Sequence, residues 1–240
     1  LIGYGHACRT IAILESLLVD GFKCLIFTTR SSSKLLPKLT SSSFTLIIYD
    51  NLCSMCDPQV FNAFYKLCDV LIVDHYSPSV REILLSPKSA DSLTVLIDDI
   101  SLSPPYPCDL FINPNLIDET ISFSTSPSIL IGPSYAPIRN QFIDHVFFHS
   151  KNQRCEKILR CLISVGATDP HNYTLLILKA LYMFPKKDLF SFVVLLSSSA
   201  PHLALIEKMA TDSQLNLMLE VDAISVPSLY LSLIHISEPT

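Results

Sequence analysis

Short apolar runs alternate along this chain with stretches whose apolar positions recur at helical spacing. Continuous apolar runs bounded by polar residues mark strands buried on both faces of a parallel sheet. The first half reads as a helix from about Ala7 to Asp20, a strand over Lys23–Thr28, and loop plus short helix over Arg30–Lys38. A strand over Phe44–Tyr49, a helix over Pro58–Leu67, a strand over Asp69–Asp74 and a short helix over Val80–Leu85 follow. Three further strands are expected at Leu93–Asp98, Asp109–Asn113 and Ser128–Gly132. Arg139–Lys151 reads as a polar-faced helix and a hinge between domains. Alternation then restarts with strands at Ile158–Val165, Phe190–Leu196 and Leu215–Val221, and helices at Tyr173–Met183 and from the Ser197–Ser199 loop to Ala210. Strands and helices in this order predict an α/β chain of doubly wound parallel sheets. The expected division is a domain over residues 1–150 and a smaller one over 151–230.

Composition narrows the class. Hydrophobic residues make up 49% of the 240 and charged residues 16%, which describes a core-rich globular chain. A mean hydropathy of +0.41 raises the question of membrane insertion. Runs such as Leu189–Leu196 fall well short of the roughly 20 apolar residues a spanning helix needs, so no membrane span is expected. The net charge of -5 and the lack of a Lys/Arg cluster argue against nucleic acid as a partner. The eight cysteines lie scattered in mostly apolar segments, which fits free core thiols. Cys53-Ser54-Met55-Cys56 is a lone CxxC, with no second pair to complete a metal site. The chain opens at Leu1, directly in a glycine-containing loop, so the strand expected before that loop lies outside it. Residues 231–240 resemble a translated sequencing adapter.

Candidate chemistry gathers at strand ends. Gly3-Tyr4-Gly5-His6 reads as a tight loop opening a helix, where glycine permits close backbone approach and the helix start favours anions. The positive end of the helix dipole suits a neutral imidazole, and such a ring accepts a proton as a general base. A plain turn with an incidental histidine explains the local pattern equally well. In open parallel sheets ligands bind beyond the carboxyl ends of the strands. Asp74-His75-Tyr76, Asp98-Asp99, Asn113 and Thr168-Asp169 load four such ends with polar side chains. Each also has a structural explanation, because Asp and Asn cap helices and shape turns. His145, His149, His171 and His202 fall in expected surface segments. No HExxH, GxSxG or GxxxxGK[ST] pattern occurs, so no metal is expected and neither a serine hydrolase elbow nor a P-loop is present.

Six segments in one order resemble a known family: Ile2–His6, Ile72–Tyr76, Asp98-Asp99, Cys108-Asp109 with Asn113, Gly132–Arg139, and Gly166–Asp169. The series is similar to the UDP-sugar hydrolase family of pseudaminic acid biosynthesis, which acts on a UDP-linked 2,4-diacetamido-2,4,6-trideoxy sugar. The resemblance covers about Leu1 to Leu229. It implies a GT-B-like fold of two Rossmann-like domains, the second truncated here and the first lacking its first strand. It further implies metal-free release of UDP by water, with a UDP-sugar as the partner; separately, no cofactor, a cytoplasmic location and a monomer are expected. His6 takes the catalytic position and Gly5 lies close to the sugar phosphate. Asp74, His75, Tyr76, Asn113, Tyr135 and Arg139 take substrate-binding positions, with Arg139 placed to pair with the diphosphate. The phosphate loop falls on Gly166, Ala167, Thr168 and Asp169, followed by Asn172. Ala167 stands where the family usually carries a second glycine, and the uridine-gripping region would follow Leu229. Two other readings stay open: a GT-B glycosyltransferase using a UDP-sugar donor, and a non-catalytic nucleotide-sugar binding protein. As given, the chain is expected to be inactive, so the activity is that of the intact gene product.

Overall fold

The computed structural model describes residues 4–33, 44–75, 77–85, 91–99, 107–116, 128–149, 158–212, 214–223 and 225–233. The chain divides into two compact units, Tyr4–Arg139 and a second opening at Asn140. Every strand pair in both is parallel, and helices follow the strands, so the chain is α/β.

The first unit begins with α1 (Tyr4–Val19), whose buried Ile11, Ala12 and Leu14 repeat at helical spacing. β1 (Cys24–Thr29), the single turn α2 (Arg30–Ser33) and β2 (Phe44–Tyr49) follow, with β1 and β2 paired from Cys24↔Phe44 to Thr29↔Tyr49. The CxxC segment forms a short helix, α3 (Leu52–Met55), started by the Asn51 side chain accepting from Ser54 N–H. α4 (Pro58–Leu67) has a well-made start. Pro58 occupies the first turn, and the Asp57 carboxylate accepts from the Gln59 and Val60 amides. β3 (Val70–Asp74), α5 (Pro78–Leu84), β4 (Leu93–Ile97), β5 (Leu110–Asn113) and β6 (Ser128–Ile131) complete the unit, the strands forming one sheet in the order β3-β4-β5-β6.

One core serves both sheets of this unit. Phe27 of β1 stacks on Phe64 of α4 at 4.0 Å between ring centroids, and Phe64 clusters with Leu71 and Val73 of β3 and Phe111 of β5. Among the described residues β1 pairs with β2 alone and β3 with β4 alone. The C-terminal end of α4 is closed by a distant side chain. Buried Ser92 donates to the carbonyls of Tyr65 and Cys68, at 2.5 and 2.8 Å. Asp109 ties β4 to β5 in a similar way, its carboxylate accepting from Thr94 N–H at 2.7 Å while its own N–H donates to Thr94 O.

The second unit holds α6 (Asn140–His149), β7 (Leu159–Ile163), α7 (Tyr173–Tyr182), β8 (Phe190–Leu196), α8 (Leu203–Asp212), β9 (Leu217–Val221) and α9 (Val226–Leu233). The sheet runs β7-β8-β9, and its central strand carries the buried run Phe192-Val193-Val194. Leu178 of α7 and Ile206 of α8 close the core against it. The helix expected as a hinge, α6, belongs to this second unit and sets Phe142 edge-on to Tyr230 of α9.

Candidate active site

The register of the first unit's sheet aligns the polar residues that the strand pattern had placed at separate ends. Asp74 lies level with Ile97, and Ile97 with Ile112. One residue further along each strand come His75, Asp98 and Asn113. The helix α1 begins at the same edge of the sheet, because its first turn delivers His6 to Asp74.

His6 Nδ1 lies 2.7 Å from Asp74 Oδ1. Arg9, three residues on and so on the same helical face, reaches the same carboxylate with both arms of its fork. Its Nε donates to Oδ2 at 2.9 Å and its Nη2 to Oδ1 at 2.8 Å. The remaining Nη1 donates to Asp99 Oδ2 at 2.7 Å. Two-pronged pairing of this kind is the strong form of the Arg–carboxylate bond. Arg9 Nη2 also lies 3.1 Å from His6 Nδ1. A single ring nitrogen either donates or accepts. The shorter contact to an acceptor-only carboxylate puts the proton on Nδ1, and the guanidinium hydrogen goes to Asp74. His6 is thereby held with Nε2 as its basic nitrogen, the tautomer a general base requires.

The cluster is largely shielded from water. Side-chain exposure is 13% for His6, 9% for Asp74, 15% for Arg9 and 23% for Asp99. One guanidinium faces two carboxylates, so the group carries one net negative charge while His6 is neutral and none once His6 holds a proton. Asn115 supports the far side, its Nδ2–H donating to the Asp99 carbonyl at 2.7 Å.

His75 packs its ring against His6, with centroids 6.5 Å apart and planes 27° from parallel. Burial lowers its pKa from the usual 6.5, His6 lowers it further, and Asp74 opposes both. Asn113 is placed differently from a ligand-facing residue. It is 1% exposed, and its Oδ1 accepts from Asn115 N–H at 3.0 Å in a tight turn. Tyr135 is exposed in the turn Pro133–Tyr135, which follows Gly132 at φ +111, and Arg139 is half-buried at the unit's end. Tyr76 lies outside the described residues, as do Gly3 and residues 234–240. Gly5 falls inside the first turn of α1 rather than in a loop before it. A Cβ added there meets nothing within 4 Å.

The expected phosphate loop lies in the second unit, at the carboxyl end of β7. Gly166 has φ +104, which an L side chain rarely adopts, and Asp169 and Asn172 are also left-handed at φ +36 and +58. Ala167 O accepts from Ser197 N–H at 2.8 Å, fixing the loop to the end of β8. The Asp169 carboxylate accepts from the amides of Tyr173 and Thr174 at 2.9 and 2.7 Å and so caps α7 itself. Burial alone would raise this carboxyl, but the bonds from Thr174 and Tyr173 outweigh it and hold the group below the usual carboxylate value. A second carboxylate, Asp222, accepts from Ser198 N–H at 3.0 Å, and the bonds from Ser198 lower its pKa.

Sequence reasoning singled out His6, Asp74 and His75, and the structure brings them together. It missed Arg9 and Asn115. The i, i+3 spacing of His6 and Arg9 was the one available signal for Arg9. No group of three or more His, Cys, Asp or Glu side chains able to hold a metal ion occurs among the described residues. Nor is any helix among them long and apolar enough to cross a membrane. No protein-family model matches the chain, and no curated protein matches it.

Proposed function

We propose that the intact protein hydrolyses a UDP-linked 2,4-diacetamido-2,4,6-trideoxy sugar to the free sugar and UDP. In this reading His6 Nε2 takes a proton from water as that water attacks the anomeric carbon. The carrying observation is the bond of His6 Nδ1 to Asp74 within the Arg9–Asp99 network, at the carboxyl edge of a parallel sheet. Asp74 fixes the tautomer and faces the imidazolium that the step creates. UDP needs little protonation to leave, so holding its charge is the remaining demand. The resemblance gives that task to Gly166, Ala167, Thr168, Asn172 and Arg139, while within the second unit the Asp169 carboxylate is engaged by the first amides of α7.

Two features support the finer fold reading, GT-B-like with two Rossmann-like units. Each unit carries a parallel sheet of its own. In the first, β1 and β3 share one core without pairing. The protein acts in the cytoplasm.

Incubating the intact protein with the UDP-sugar and no acceptor is expected to release UDP stoichiometrically. The His6→Phe variant is expected to lose about 10²–10⁴ in rate, the usual worth of a positioned base. Inertness of the wild type without an acceptor, with turnover once a sugar acceptor is added, would replace hydrolysis by glycosyl transfer. Unchanged UDP release by His6→Phe would remove His6 from the mechanism.

A further inference from the structure

The two stacked histidines of the first unit are fixed by partners of opposite kind. His6 Nδ1 meets a carboxylate, which only accepts. His75 Nδ1 instead receives the backbone N–H of Ser77 at 2.9 Å, and a peptide N–H only donates. Neutral imidazole carries one proton, so His75 keeps it on Nε2. We propose that His75 is a locked, uncharged hydrogen-bond donor that presents Nε2–H to an acceptor oxygen of the same ligand on which His6 acts. The proposal rests on the reading of His6 as base only in assuming that ligand.

The pairing has a chemical logic. One ring offers a lone pair at Nε2 and the other a proton at Nε2, with centroids 6.5 Å apart and planes nearly parallel. A charged donor beside His6 would repel the imidazolium formed during the reaction, whereas a neutral one does not. The surroundings keep His75 neutral. It is half-buried, it faces His6 from α1, and the carboxylate that would favour its charged form, Asp74, is already engaged by His6 and by both arms of Arg9, which also holds Asp99. Burial and His6 together lower its pKa against the opposing pull of Asp74. A donor of this kind selects for oxygen acceptors: a phosphate ester oxygen, a ring oxygen or an amide carbonyl. It disfavours a ligand that presents only N–H there, because two donors would meet.

Long-range ¹H–¹⁵N correlation spectra of the 240-residue chain read the tautomers directly, with assignments from His6→Gln and His75→Gln. The expected result is a proton on Nδ1 for His6 and on Nε2 for His75, with His75 neutral at pH 7.5. A Nδ1–H tautomer or a charged ring at His75 under those conditions overturns the proposal. Titration of the intact protein with UDP-N-acetylglucosamine is the second arm. His75→Phe is expected to weaken binding about 5–10-fold, the worth of one hydrogen bond. His75→Gln retains an uncharged N–H donor and is expected to stay within about threefold of wild type. Equal affinity for the His75→Phe variant and the wild type, with the probe bound, also overturns it. If the wild type binds no sugar nucleotide while the tautomers are as expected, the donor assignment stands and the UDP-sugar function falls.

Discussion

Asp74 accepts from His6 on one oxygen and from Arg9 on both, so its negative charge is divided between an imidazole and a permanent cation. Sequence alone placed this residue against the sugar, whereas its hydrogen bonds direct it toward orienting His6. The two roles separate kinetically. Asp74→Asn keeps an acceptor for Nδ1–H but removes the charge opposite the imidazolium and half of the Arg9 fork. We expect kcat to fall about 10²–10⁴-fold with KM little changed, because the lost interaction is made in the transition state. A rise in KM at constant kcat would return Asp74 to the sugar-binding surface. Arg9 escaped sequence reading for a physical reason. An arginine on an amphipathic helix is ordinarily solvated, and nothing local to α1 announces two carboxylates, 65 and 90 residues away, that converge on it.

At the scale of elements, strands were the most legible part of the chain. β2 and β8 begin and end where their apolar runs do, although only β8 is a buried strand and β2 leaves Leu46 and Ile48 exposed. α4 was equally legible, because Pro58 and Leu67 bound a clean apolar stripe. The start of α1 was not. Gly5 argued for a loop before Ala7, yet the helix runs from Tyr4, because glycine is merely tolerated there and not required. The short α3 was hidden for another reason, four residues being too few to show a period. The open space at Gly5 yields a test. Gly5→Ala is expected to stabilise the chain slightly, by about 0.5 kcal/mol, through reduced freedom of the unfolded backbone. Thermal denaturation checks that, and UDP release checks the ligand. Stability gained with activity lost means that a ligand atom approaches this backbone closely. Stability gained with activity kept means that it does not.

For the whole molecule, the titrating groups of the two units set different responses to acid. The His75 pKa is lowered in the folded state, so the unfolded chain takes up that proton first. Stability tied to His75 is therefore present above about pH 6.5 and is lost as pH falls from there toward the folded value. Asp169 and Asp222 are also lowered, but from a carboxylate value, so the stability they confer is present above about pH 4 and lost only below it. Hydrogen exchange followed from pH 7 to 3 is expected to show protection falling first in the unit containing Tyr4–Arg139 and later in the unit that starts at Asn140. The reverse order would contradict these assignments. Ser92 carries a different consequence, one of timing. The carbonyls at the end of α4 find their donor on a residue 24 and 27 positions away, at the threshold of β4. That helix cannot complete its own C-terminus while the chain is still local. Its last turn stays frayed until β4 docks beside β3, which binds the maturation of a short-range element to a long-range event and makes the two form together.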